Sequence, residues 1–420
     1  MNTGFDTPLS GLSPAGSASL AHQVMDRIAY RAIILGLALL PFMMWRFHPD
    51  IQFTLGDGCF AVGLVFALMS GRLNLNPFAG LTAWWILAFC LMLLALGVSS
   101  LVNGDPLRFA VVGSQYLFAY LVLPYFIFGR SRAELWRFIT ISVGIVVLAE
   151  LFSIVMYYLY GDVPFGLAWI NHNFVTGAQR LGSFFGSANR NAAVISLALP
   201  FVLFFIRTGY WPLWIGLIGA AILGLALILT ASVTGLISSS VALLVFVVAA
   251  YGWRAWKPMA AGAALLLVAF AAGFTLPQSF EERVLGAVES GDISSAGTYS
   301  GRMDLIEEAL EISDDTNILG LGADQFRAVS DGEAPVHNAF LLIWTEGGLF
   351  ALLGWCFALG LFAFVAVKAF AADRTAGALA LSIGFVFVIV ASASTHMYAR
   401  LWVVPLLFAM RIGILALVRR

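Results

Sequence analysis

Residues 211–229 read WPLWIGLIGAAILGLALIL, a stretch without a single charge. As a helix rising about 1.5 Å per residue it would cover roughly 28 Å, close to the ~30 Å thickness of a bilayer's hydrocarbon core. Blocks like it recur along the chain. Twelve spans are predicted: 31–45, 52–70, 78–98, 109–129, 135–160, 191–206, 211–229, 231–251, 258–276, 338–370, 374–394 and 401–418. Of the 420 residues, 61% are hydrophobic and 11% charged, whereas a soluble domain carries about a quarter charged residues. Barrel strands are shorter, about 10 residues, and alternate apolar with polar, which these blocks do not. The expected fold is an all-α polytopic membrane protein of about twelve transmembrane helices.

Charge placement orients the bundle. With the N-terminus inside, one side collects Arg27, Arg31, Arg72, Arg130, Arg132, Arg137, Arg207, Arg254, Lys257, Lys368, Arg374, Arg419 and Arg420. The other side's short loops hold Arg46, Arg108, Arg180, Arg190 and Arg400. Lys and Arg are retained in the cytoplasm, so both termini are placed there. Residues 1–30, rich in Gly, Ser and Ala, read as a flexible cytoplasmic tail. Residues 31–276 form spans 1–9, residues 277–336 a large outer loop, and residues 337–420 spans 10–12. A net charge of −1 and the lack of a basic stripe exclude nucleic acid as a partner. Cys59, Cys90 and Cys356 all fall inside predicted spans and suggest neither a disulfide framework nor a metal site.

The loop has a different character from the rest of the chain. It carries thirteen acids between Glu281 and Glu333 against Arg283, Arg302 and Arg327. Within it SGRMDLIEEALEI (300–312) spaces Met303, Ile306 and Leu310 as one face of an amphipathic helix lying on the membrane domain. The glycines of ILGLGADQF (318–326) predict a turn back toward the bilayer.

Three stretches hold residues suited to chemistry. QRLGSFFGSANRNA (179–192) offers Arg180, Arg190, Asn189 and Asn191, with glycines that let backbone approach a ligand and a helix start that attracts anions. These suit a phosphate; alternatively Arg190 sits at headgroup level and Asn189 caps the helix. Arg302 is either a surface ion pair with Asp304 or a neighbour, or a bidentate clamp on a diphosphate. In PVHNAFLLIWTEGGLFALLGW (335–355), His337 and Asn338 stand at the mouth of a long apolar helix, with Glu346 about two turns inside. His337 could accept a proton or orient a phosphate oxygen, or be an interfacial cap. Asp57, Glu150, Glu346 and Arg411 are charges within spans, which a proton- or ion-coupled secondary transporter would use and which internal pairing would equally explain. Nothing resembles a nucleotide, zinc, Ser-His-Asp or DxD site. No cofactor and no metal is expected, and the energy of a reaction outside the cell must arrive in the substrate.

At these stretches the chain resembles the bacterial O-antigen ligase and O-antigen/exopolysaccharide polymerase superfamily of polytopic glycosyltransferases. The similarity rests on three patterns: Arg180, Gly182, Phe185 and Asn189 ahead of the sixth span; the loop-helix Arg302; and His337 to Leu341 with Glu346 to Gly348 downstream. The chain departs from the family pattern at Ser183, where a glycine is expected, at Ala188, where proline precedes the asparagine, and at Ile306, where many relatives carry tryptophan. The resemblance implies a GT-C-like helical fold. It implies transfer of a glycan from an undecaprenyl-diphosphate-linked donor to an acceptor hydroxyl, on lipid A core or a growing glycan, at the periplasmic face. Other envelope polysaccharide assembly proteins are implied as partners alongside membrane lipid. Arg180 and Arg302 would hold the diphosphate without a metal, His337 would orient it or deprotonate the acceptor, and the anomeric carbon would invert. Arg190, Asn189, Asn338 and Glu346 would contact substrate.

Overall fold

A computed structural model describes residues 20–44, 46–48, 51–163, 165–167, 170–271, 273, 275–286, 289, 300–315 and 317–418. The protein is 79% helical. The principal helices are α1 (Leu20–Ala38), α2 (Leu55–Met69), α3 (Thr82–Val102), α4 (Pro106–Ile127), α5 (Arg132–Tyr160), α6 (Ala188–Thr208) and α7 (Leu213–Thr230). After them come α8 (Val233–Tyr251), α9 (Trp256–Ala271), α10 (Ser300–Asp315), α11 (Ala339–Ala372), α12 (Arg374–Ala391) and α13 (Arg400–Val418).

A helix stands at each of the twelve predicted spans, yet nine helices among the described residues are long and apolar enough to cross a membrane. The difference has physical causes. The helix α2 has 15 residues and α9 has 16, roughly 22–24 Å of rise. One continuous apolar run, Val233–Ala264, joins α8 to the start of α9. The helix α1 begins at Leu20, inside the segment expected to be a tail, and its polar first turns are held by Asp26, which pairs with Arg130 and lies 3.7 Å from Arg72. The rest of that expected tail, residues 1–19, lies outside the described residues. Helix ends follow local chemistry: Thr54 and Asp57 cap α2 reciprocally, Asp373 caps α12, and Gly209 at φ +69° terminates α6.

The centre of the bundle is α6 and α13, 78% and 72% buried along their most apolar stretches. Outward-facing Trp214, Leu217, Ile218 and Leu244 leave an apolar surface suited to lipid. The other intramembrane charges are paired internally. Asp57 binds Arg400, Glu150 accepts from Asn191 Nδ2 at 3.1 Å, and Arg411 donates to the Pro77 carbonyl at 2.9 Å while lying over the Phe128 ring.

The segment 317–326 turns back as expected, and it does so by inserting between α3 and α11. Gly348 breaks α11 with φ +73° and ψ −176°, a backbone conformation open essentially to glycine. The groups freed by the break bond the inserted segment: Leu321 N donates to Thr345 O and Gly322 N to Glu346 O, both at 2.8 Å, and Leu349 N donates to Asn317 O at 2.9 Å. The insertion needs Gly320, whose added Cβ would lie 2.2 Å from the Glu346 carbonyl carbon.

The loop helix α10 docks on this platform, but through a different face from the one read in the sequence. Met303 and Leu310 are 37% and 45% exposed, while Ala309 is fully buried with Leu305, Ile306 and Ile312 against Phe326, Val336 and Leu342. The small Ala309 lets the two helices approach closely, which rotates the buried stripe onto 302, 305/306, 309 and 312/313. Arg302 lies on that stripe and is half-buried.

Candidate functional site

A cavity of about 200 Å³ opens where α6 and α8 begin, where α12 ends and beneath α10. Its walls include Asn189, Arg190, Arg302, His337, His396 and Tyr398. The first turns of α6 and α8 face it with Ser187, Thr234 and Gly235, and with Ser238 a turn further on, so the positive ends of two helix dipoles favour an anion.

The cations are arranged around this space. A short hairpin, Val175–Thr176 paired with Arg180–Leu181, carries Arg180. Its Nε donates to the Thr230 carbonyl at the end of α7 at 2.7 Å, and its Nη2 donates to Asn189 Oδ1 at 2.7 Å. Asn189 Oδ1 also accepts from Ser232 Oγ at 3.1 Å, so Asn189 links Arg180 to the cavity wall rather than capping α6. Burial, then Arg283 and Arg302, lower the Arg180 guanidinium to about 10. Burial and then Arg283 lower Arg302; no carboxylate partner stands beside it among the described residues, so the ion pair with Asp304 is not formed. Burial, Arg302 and Arg190 lower His337, against the Pro335 carbonyl, which raises it. These basic groups depress one another's charge because they share one region, a field that a diphosphate would relieve.

The structure thus brings Arg190, Asn189, Arg302 and His337 to one cavity and sets Arg180 one hydrogen bond behind it. Two expected contacts lie elsewhere. Asn338 Oδ1 accepts from Phe340 N at 3.0 Å and Leu341 N at 3.3 Å, the N-cap of α11. Glu346 is buried beneath the inserted segment, where Phe326 N approaches it at 3.4 Å, and it does not line the cavity. Ser183 occupies φ +49°, the left-handed conformation for which the family's glycine is suited. Its buried hydroxyl lies 2.8 Å from Ser153 Oγ, which offsets part of that strain.

Two cavity groups were not read from the sequence, His396 and Tyr398, and Arg283 joins the cation cluster from the loop. The available signal was one of five histidines lying in a short outer connection, with Arg400 four residues on.

The fold and the cavity define an integral membrane protein with an anion-attracting chamber at one end of its helices. Residues 218–356, from within α7 to within α11, match the family described as O-antigen ligase, which supports the chain's place in the O-antigen ligase and polymerase superfamily. The match supports a membrane enzyme of the glycan-transferring ligase or polymerase type. It includes Arg283, Arg302, His337 and the Gly348 break, and stops short of Arg180, Asn189 and His396. No curated protein matches the chain.

Proposed function

We propose that the protein moves a glycan from an undecaprenyl-diphosphate-linked donor to an acceptor hydroxyl at the periplasmic face of the bacterial inner membrane. The observation that carries this reading is the meeting of Arg302, Arg190, Asn189 and His337 in one cavity, with Arg180 bound to Asn189 behind it. The cavity lies at the end of the bundle from which the acidic loop emerges, and the Lys- and Arg-rich connections gather at the other end.

The chemistry follows from charge. As the glycosidic bond breaks, negative charge grows on the leaving diphosphate, and preset guanidinium donors stabilise that charge more than the ground state. Arg302 and Arg180 supply the neutralisation, Arg190 and Asn189 position the phosphate oxygens, and His337 orients the group. Direct displacement by the acceptor oxygen then inverts the anomeric carbon without a metal. Lipid A core and a growing glycan are both acceptors of the required kind.

The test uses purified full-length protein, undecaprenyl-diphosphate oligosaccharide and candidate acceptors, with chelator present. Product is expected in chelator, and Arg302→Ala is expected to lower transfer by about 10²–10³, the cost of deleting one preset donor. Wild-type transfer by correctly inserted R302A and H337A would overturn the assignment.

A further inference from the structure

One face of α5 carries three polar side chains in helical register, Glu150, Ser153 and Tyr157 at i, i+3 and i+7. A carboxyl fully buried within a span is costly, and its partners show what it holds. Tyr157 OH donates to the Gln179 carbonyl at 3.1 Å. Glu150 Oε2 accepts from Asn191 Nδ2 at 3.1 Å, and the same amide nitrogen donates to the Leu181 carbonyl at 3.3 Å, so one amide joins α5 to the hairpin. The Ser183 hydroxyl lies 2.8 Å from Ser153 Oγ and also bonds the Glu150 carboxyl. Glu150, Ser153, Ser183 and Asn191 are all fully buried.

Residues 179, 181 and 183 are thus tied toward α5. Arg180, between them, bonds elsewhere: its guanidinium donates to the Thr230 carbonyl and to Asn189 Oδ1, both at 2.7 Å. The hairpin cannot hold this arrangement by itself. Its ladder has two paired positions, Val175 with Leu181 and Thr176 with Arg180, continued by one bond from Gly182 N to the Phe174 carbonyl at 2.8 Å. So short a ladder fixes register weakly, and a slip of one residue would turn Arg180 to the opposite side.

We propose that Glu150 is a positioning residue for Arg180: through Asn191 and Ser183 it holds the hairpin in the register that aims the guanidinium at Asn189 and the cavity behind it. This rests on the glycan-transfer reading above and deepens it. In that reading Arg180 neutralises charge growing on the leaving diphosphate, and such a donor has its full effect only when set in place before the bond breaks. Glu150 is not among the residues lining the cavity, so its effect on the reaction passes through Arg180. The Ser153–Ser183 pair is a second tie on the same segment, one turn further along α5.

The test is a double-mutant cycle on the full-length protein: wild type, E150A, R180A and E150A/R180A. Undecaprenyl-diphosphate oligosaccharide serves as donor, and also as acceptor beside lipid A core oligosaccharide. Misplacing Arg180 is expected to lower kcat in E150A by about 10–100-fold. R180A is expected to lose about 10²–10³, and adding E150A to it should change the remaining rate by less than about threefold, because the group through which Glu150 acts is gone. E150Q, which keeps an oxygen toward Asn191, should restore most of the rate that E150A loses. Where E150A fails to insert, S153A/S183A carries the same test, since it removes a buried hydroxyl pair whole: a loss of about tenfold against wild type and none against R180A. A merely structural role would lower transfer by the same factor in both backgrounds. The proposal is overturned by such equal losses, or by E150A transferring within about threefold of wild type. Wild-type protein that transfers nothing to either acceptor would instead fell the glycan-transfer reading on which the proposal stands.

Discussion

Replacing Gly348 by alanine tests whether the break in α11 holds the loop on the membrane domain. The backbone there, φ +73° and ψ −176°, costs a residue with a Cβ about 1–3 kcal/mol. The added Cβ would also lie 2.0 Å from the Ile318 carbonyl oxygen, so segment 317–322 must withdraw. Withdrawal removes the three bonds joining Leu321, Gly322 and Asn317 to α11, worth about 1 kcal/mol each. The sum, about 4–6 kcal/mol, exceeds the usual effect of one substitution. The segment carries Asp324 and Phe326, and Phe326 packs beneath α10, so Arg302 loses its support. Hydrogen exchange in detergent should therefore show the amides of Leu321, Gly322 and Leu349 deprotected, and glycan transfer should fall more than about tenfold. Gly360→Ala in the same helix is the control. Nothing lies within 4 Å of its added Cβ, and alanine should gain up to about 1 kcal/mol there. If G348A kept wild-type exchange protection and transfer, the inserted segment would not be what positions the loop.

Asp57→Asn should destabilise by about 3–5 kcal/mol, because it leaves the buried Arg400 guanidinium without its carboxylate, and thermal unfolding will show it. Ala309→Glu should undock α10 and abolish transfer, whereas Met303→Glu, on the exposed face, should transfer near the wild-type rate; the reverse order would restore the face first read from the sequence. Burial holds the His396 imidazole down to about 4, against Asp324, which raises it. The fold thus favours the neutral ring. Its contribution is whole above the ordinary value of 6.5 and is lost as pH falls toward 4, up to about 3 kcal/mol. Thermal unfolding from pH 7 to pH 4.5 should show this fall, and H396Q should flatten it.

The sequence by itself determined that the chain is a helical membrane protein, because apolar runs of bilayer length admit no other backbone solution: every N–H and C=O in hydrocarbon must be paired within its own helix. It also marked Arg302 and His337, since cations are conspicuous in so acidic a loop, and the glycines of 318–326, which punctuate any reading. Tertiary structure decided the rest. Helical spacing could not choose between stripes one residue apart on α10, and the close approach at Ala309 chose the one that carries Arg302. Run length alone could not show where the helices within the second and ninth apolar runs begin and end. Glu346 and Asn338 look like ligands beside His337 in one dimension, but a helix cap claims one and the inserted segment covers the other. His396 lies 59 positions after His337 in the chain, and only the packing of α4, α12 and the inserted segment brings the two to one cavity.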